Sequence, residues 1–220
     1  MAPLHSRSSS QFGLRSLLAL LVLAAIQLTC VAGAAVLDSY GNEMQENEPY
    51  YICTAWLRES NKQWEFYGVD SKMELEGLSG VGYPQFSSTN HNQFRLWFCN
   101  TWDYTHENGW ECMDRAGTMF ENKEYSIGKR HRSGFAENWV TKKGESRVYW
   151  TKTRGTGFTL HKFATPKGSR NWYRLSVTGN DEILGSLGNN YFWHAKHSAS
   201  KSTLVFRFGQ TPLNCDEKFL

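Results

Sequence analysis

Apolar and polar residues change places at close to every second position in two stretches of this chain. One is Phe158-Thr159-Leu160-His161-Lys162-Phe163 and the other is Leu204-Val205-Phe206-Arg207-Phe208. A period of two sends successive side chains to opposite faces, the mark of a half-buried β-strand. Other runs rich in aromatic and β-branched residues lie between Gly, Asn, Ser and Pro clusters. They are Tyr50–Leu57, Trp64–Val69, Phe94–Cys99, Val148–Lys152, Trp172–Val177 and Tyr191–His194. With Gly157–Phe163 and Thr203–Phe208 they complete the predicted strands. No longer window carries a helical stripe with caps. Short strands at roughly even spacing predict an all-β barrel or sandwich.

The first 34 residues fall outside that pattern. His5, Arg7 and Arg15 lead into the apolar run Leu17–Ile26, which is too short to span a bilayer. Ala32-Gly33-Ala34 reads as a small-residue cleavage site, so residues 1–34 are expected to be a secretory signal peptide and 35–220 one domain. The expected location is the extracellular space or, by the same pathway, the vacuole. The whole chain holds 24 Lys and Arg against 21 Asp and Glu. Removing Arg7 and Arg15 leaves the remainder near neutrality, which argues against nucleic acid as a partner. No second apolar run follows, so no membrane association is expected, and a monomer is.

Cys30 belongs to the leading segment, leaving Cys53, Cys99, Cys112 and Cys215. An even number in a secreted chain predicts two disulfides, with three pairings open. Aromatic residues make up 15% of the chain and include nine Trp.

The segment that opens the domain is distinctive. Asp38-Ser39-Tyr40-Gly41-Asn42 is turn chemistry, and Pro49–Trp56 is strand-like. Val36, Leu37, Asp38, Gly41, Asn42, Tyr50, Tyr51 and Ile52 resemble the opening of mature Kunitz-type (soybean trypsin inhibitor-like) proteins of plants. Further along, Gly157–Phe163 followed by Asn171–Val177 is similar to that family's Gly-x-Phe-x-Ile/Leu-x-Lys and Tyr-Lys-Leu-Val strands. Asn138-Trp139-Val140 is placed like its Trp-x-Val segment, and Ser202–Phe208 like its closing strand. The resemblance implies a β-trefoil, a six-stranded barrel with a hairpin cap, although no internal repeat is visible in the sequence. In that fold the first and last strands are neighbours, which implies Cys53–Cys215 and leaves Cys99–Cys112. The family's usual second bridge has no counterpart, because Ser176–Gly188 contains no Cys.

The resemblance also implies inhibition of a protease, most naturally a serine protease, by a rigid substrate-like loop. In the family that loop follows the fourth strand and precedes an Arg-x-Arg-Phe-like strand. The matching stretch here is Ser87–Arg95, with Asn90, His91, Asn92, Gln93, Phe94 and Arg95 as its reactive-loop residues. Asn92 and Gln93 take the scissile neighbourhood, with Arg95 just after it, so strong trypsin specificity is not expected. Lys129, Arg130 and Arg132 form an alternative basic loop, which also reads as an ordinary solvated turn.

A second function class is a non-inhibitory trefoil that binds glycan or a protein through Trp-rich loops, with Trp102, Tyr104, Trp110 and Trp193 as the stacking residues. The Gln-x-Trp motif of ricin-type lectins is absent. Enzyme chemistry is the weakest class. His194-x-x-His197 and His106, Glu107, Glu111 and Cys112 are metal-ligand types, but neither spacing places imidazoles on one helical face. Ser198–Lys201 fits Ser-x-x-Lys without its partner motifs. Neither a catalytic function, a metal nor a cofactor is expected.

Overall fold

The computed structural model describes residues 33–58, 63–73, 82–87, 95–100, 102–105, 109–112, 117–130, 136–141, 147–151, 155–164, 171–180, 182–186, 192–196 and 202–215. The chain divides into two units, Met1–Ala34 and Ala35–Leu220. The second is all-β, with no helix among its described residues. Its strands are β1 (Pro49–Arg58), β2 (Gln63–Met73), β3 (Gly82–Ser87), β4 (Leu96–Cys99), β5 (Trp102–Thr105), β6 (Gly109–Cys112), β7 (Glu124–Arg130), β8 (Ala136–Thr141), β9 (Val148–Thr151), β10 (Gly157–Phe163), β11 (Trp172–Val177), β12 (Glu182–Ser186), β13 (Trp193–Lys196) and β14 (Ser202–Gly209).

Six of these close on themselves in the order β1–β4–β7–β10–β11–β14, with β14 returning to β1. Three hairpins, β2–β3, β8–β9 and β12–β13, branch from the ring. The fold is a β-trefoil. Strands β5 and β6 form a separate two-stranded ribbon in the connection from β4 to β7.

The register exposes a threefold repeat that the sequence hides. Tyr50 pairs with Leu96, Tyr125 with Phe158 and Tyr173 with Phe206. Two residues on, Ile52 pairs with Phe208, Ile127 with Phe98 and Leu175 with Leu160. The first strand of each repeat thus carries a Tyr-x-Ile/Leu triplet and the fourth an apolar-x-apolar triplet, the Tyr pairing within its own repeat and the Ile or Leu with the fourth strand of the preceding one. All twelve side chains are buried and belong to one core. Trp139 continues that core toward the cap, its ring 5.7 Å from Trp150, 5.6 Å from Phe192 and 6.1 Å from Phe158.

Each core tyrosine also caps the other end of the barrel. The hydroxyls of Tyr50, Tyr125 and Tyr173 accept the backbone N–H groups of Gln45, Phe120 and Leu37 at 2.7, 2.8 and 2.8 Å. The ring fills the barrel while the hydroxyl satisfies a backbone donor that has left the sheet. Burial pushes the Tyr173 hydroxyl up to about 12, and the Tyr50 hydroxyl also up, against weaker opposing help from the donated N–H bonds. Val36, Met44 and Met119, all buried, plug this end through backbone bonds among themselves. Asn47 and Asn122, each three residues before a core tyrosine, adopt φ of 60° and 64°, and their N–H groups reach Phe98 O and Leu160 O. Asn tolerates that left-handed backbone better than most residues.

The expected turn at Asp38–Asn42 is present. Asp38 Oδ1 accepts the N–H of Tyr40 and of Asn42, and Gly41 takes φ of 89°. Disulfides join Cys53 to Cys215 and Cys99 to Cys112, with Cα separations of 5.4 and 5.8 Å.

Candidate functional site

The connection from β3 to β4 is the segment that the sequence singled out. It leaves the β2–β3 hairpin at Ser87, which is paired with Gly68, and enters the barrel at Leu96, which is paired with Tyr50. It therefore precedes the fourth strand, one strand earlier than the resemblance has it, while still leading into Arg95-Leu96-Trp97-Phe98. Asn90, His91, Asn92, Gln93 and Phe94 lie outside the described residues. Arg95 is described, and it is exposed. Its guanidinium lies 6.0 Å from the ring centroids of both Tyr51 and Trp97, at the outer reach of a cation–π contact.

The residue after Arg95 constrains what this loop can offer. Leu96 is fully buried and its backbone is committed to the ladder with Tyr50. A protease must hold several residues on both sides of the bond it cuts in extended form. The Arg95–Leu96 bond is withheld from such a cleft, so a substrate-like bond has to lie upstream, within 88–95.

Tyr51, one residue after the core tyrosine of β1, faces outward. It packs against Cys53, Leu213 and Cys215. Leu213 and Cys215 belong to the segment that follows β14, and that segment is held by its disulfide and by the Arg207 Nη2 donor bond to Asn214 O. The sequence reading missed Tyr51, Trp97 and Leu213. Tyr51 was in view as part of a strand, but nothing in the chain order announces that residues 51, 95, 97 and 213 meet.

The remaining candidates are scattered. Lys129 and Arg130 are not in a loop: they end β7, paired with Glu137 and Ala136. Arg132 lies outside the described residues. Strand pairing continues to Arg130 because the end of β7 runs alongside the start of β8. Trp102, Tyr104 and Trp110 lie on the β5–β6 ribbon, with Tyr104 opposite Trp110 and Trp102 opposite Cys112. The segment read as a loop is thus a hairpin closed at its base by Cys99–Cys112. Trp193 begins β13. His106 and Glu107 lie outside the described residues, Glu111 is in β6, and Cys112 is in its disulfide.

His194 is buried on β13, and its Nδ1 is 2.6 Å from Glu182 Oε2 on β12. Its companion His197 lies outside the described residues. Among the described residues no cluster of three metal-ligating side chains forms. No helix among them is long and apolar enough to cross a membrane.

No family model and no curated protein sequence matches the chain. Among solved structures it is similar to the water-soluble chlorophyll protein of Brassica oleracea var. Botrytis with chlorophyll b. The TM-score is 0.51 at 14% identity, over 82% of this chain and 99% of that one. At that identity the likeness bears on the fold alone.

Proposed function

We propose that this β-trefoil is a secreted, monomeric inhibitor of proteases, of the Kunitz type it resembles, and that the β3–β4 connection is the loop it presents to a serine protease. One observation carries the reading. That connection spans eight residues, whereas its two counterparts in the threefold repeat, β9–β10 and β13–β14, span five each. A barrel that needs only five residues for this step has extra chain in one repeat alone. Both ends of that chain are anchored in paired strands, which limits the entropy lost when a partner grips it.

The loop contains Asn92 and Gln93 and ends on an exposed Arg95 that cannot itself be the cleaved residue. With no Lys or Arg between Ser88 and Phe94, a protease whose primary pocket is not acidic is the partner of choice. Residues 1–34 act as the secretion signal in this reading, and two disulfides suit an oxidising compartment. The neighbouring trefoil is described with a pigment, and trefoils as a fold do not dictate one function. A second reading therefore stays attached to one feature, the β5–β6 ribbon, whose opposed Tyr104 and Trp110 suit stacking on a glycan.

The test is a titration of the oxidised protein, beginning at Ala35, against trypsin, chymotrypsin, subtilisin and papain, with mass spectrometry of any product. Stoichiometric inhibition of chymotrypsin or subtilisin with one slow cut inside 88–95 is expected. Rapid cutting, or no inhibition of any of the four, would overturn the proposal and send the protein to glycan-binding assays.

A further inference from the structure

We propose that the segment after β14, Gln210–Cys215, is a positioning element for the β3–β4 loop, acting through Tyr51 on Arg95. The proposal deepens the inhibitor reading and rests on it for its meaning, but its physical content is a coupling between two parts of the chain 120 positions apart in sequence.

The segment is built to sit where it does. Gly209 closes β14 opposite Tyr51. A Cβ at Gly209 would come within 2.7 Å of Leu213 Cδ2 and 3.2 Å of Leu213 Cγ, so a side chain there would displace Leu213 from the place it takes. Leu213 is then buried against Cys53 and Cys215. The Arg207 bond to Asn214 O and the Cys53–Cys215 bridge hold the two residues that follow it. Together these groups form a wall, and the ring of Tyr51 is packed on it.

The same ring has the Arg95 guanidinium 6.0 Å from its centroid, and Trp97 has it at the same distance. Arg95 is the last residue of the loop before the barrel claims the chain at Leu96. A guanidinium resting against two rings restricts the rotamers of the loop's root, and one of those rings is itself seated by the C-terminal segment. The other repeats lack the arrangement. Ser126 and Arg174 stand in the place of Tyr51, Gly157 and Val205 in that of Arg95, and Thr159 and Arg207 in that of Trp97. A feature that the barrel omits twice is not required for making a barrel.

The experiment compares the oxidised protein from Ala35 onward with Tyr51→Leu, Tyr51→Phe and Leu213→Ala. The readouts are the rate of subtilisin cleavage within 88–94, located by mass spectrometry, and amide exchange of the same segment. Tyr51→Leu and Leu213→Ala should each speed both by about fivefold, the scale of losing one exposed cation–π contact. Exchange in β7, β10 and β11 should stay unchanged, and Tyr51→Phe, which keeps the ring, should behave as the parent. A Cys53→Ser/Cys215→Ser double variant, which leaves Tyr51 and Leu213 in place, should loosen the same segment. Parent-like cleavage and exchange in Tyr51→Leu would overturn the coupling. So would a Tyr51→Phe protein as loose as Tyr51→Leu, because the ring would then not be the link. If the parent inhibits no protease, the inhibitor reading fails while the cleavage comparison still decides the coupling.

Discussion

The barrel interior and the root of the β3–β4 loop are built on opposite principles. Inside, three repeats use the same parts: a core tyrosine, an Ile or Leu two residues later, and an apolar pair across the sheet. At the loop root, Tyr51, Arg95 and Trp97 meet once, and the other two repeats have Ser, Gly and Thr, or Arg, Val and Arg. Pseudo-symmetry separates the two kinds of demand. What recurs three times is what closing the barrel requires. What occurs once is free to serve a partner.

Among single substitutions, the largest expected effect follows from the repeated set. Phe98 is fully buried, with its ring 5.1 Å from Phe208 and 6.3 Å from Tyr50. Phe98→Ala should cost about 3–5 kcal/mol by chemical denaturation, and Leu160→Ala, at the equivalent place, a similar amount for its size. A loss below about 1 kcal/mol at either would break the equivalence of the repeats.

Next come the two disulfides, which are not equivalent. Loop entropy assigns about 5 kcal/mol to the bridge spanning 162 positions and about 3 kcal/mol to the one spanning 13. Replacing both cysteines of a pair by Ser, one pair at a time, should lower the melting temperature more for Cys53–Cys215. The reverse order would mean that Cys99–Cys112 supports more than its own ribbon.

Much of the repeated set was legible in the chain. The predicted bounds of Gly157–Phe163, whose alternation is plain, and of Trp172–Val177 coincide with β10 and β11. Strand β3 escaped notice because Pro84 sits in it, and proline weighs against a strand. Strand β12 carries Gly185 between short polar flanks, and β5 and β6 were read as one Trp-rich loop. The repeat itself was invisible because only two positions per triplet are shared. Its spacing is also broken, by eight residues where other repeats use five and by a ribbon inserted before β7. The loop was legible only through the resemblance. The wall behind it was not, since a contact between Leu213 and Tyr51 leaves no periodic trace.

Alkali offers a milder probe of the interior. Tyr173 is neutral in the fold, its hydroxyl pushed up to about 12 by burial from an ordinary value of about 10. An unfolded tyrosine therefore releases its proton first, and the folded state binds more protons between those values. Stability is fully present below pH 10 and should fall by about 2–3 kcal/mol as pH rises toward 12. Tyr173→Phe should lessen that slope, leaving the part due to Tyr50, and cost about 1–2 kcal/mol at neutral pH, because the Leu37 N–H loses its acceptor. Denaturation curves at pH 8 and 11 for both proteins check this. An unchanged alkaline slope in Tyr173→Phe would assign it to other groups.

The smallest expected change in stability carries the sharpest contrast. Removing three residues from within 88–94 gives the first repeat the connection length of the other two. Loop-closure entropy changes slowly with length, so stability should move by no more than about 0.5 kcal/mol. Inhibition, by the reading proposed above, should disappear altogether, because the presented segment is gone while Arg95, Tyr51 and Trp97 remain. A shortened protein that is equally stable and inactive would place function in the unrepeated chain. One that is equally stable and still inhibitory would move the site elsewhere, and the β5–β6 ribbon would be the next segment to remove. A shortened protein that fails to fold would show that the extra residues serve the barrel after all, and the division between repeated structure and single-copy function would not hold.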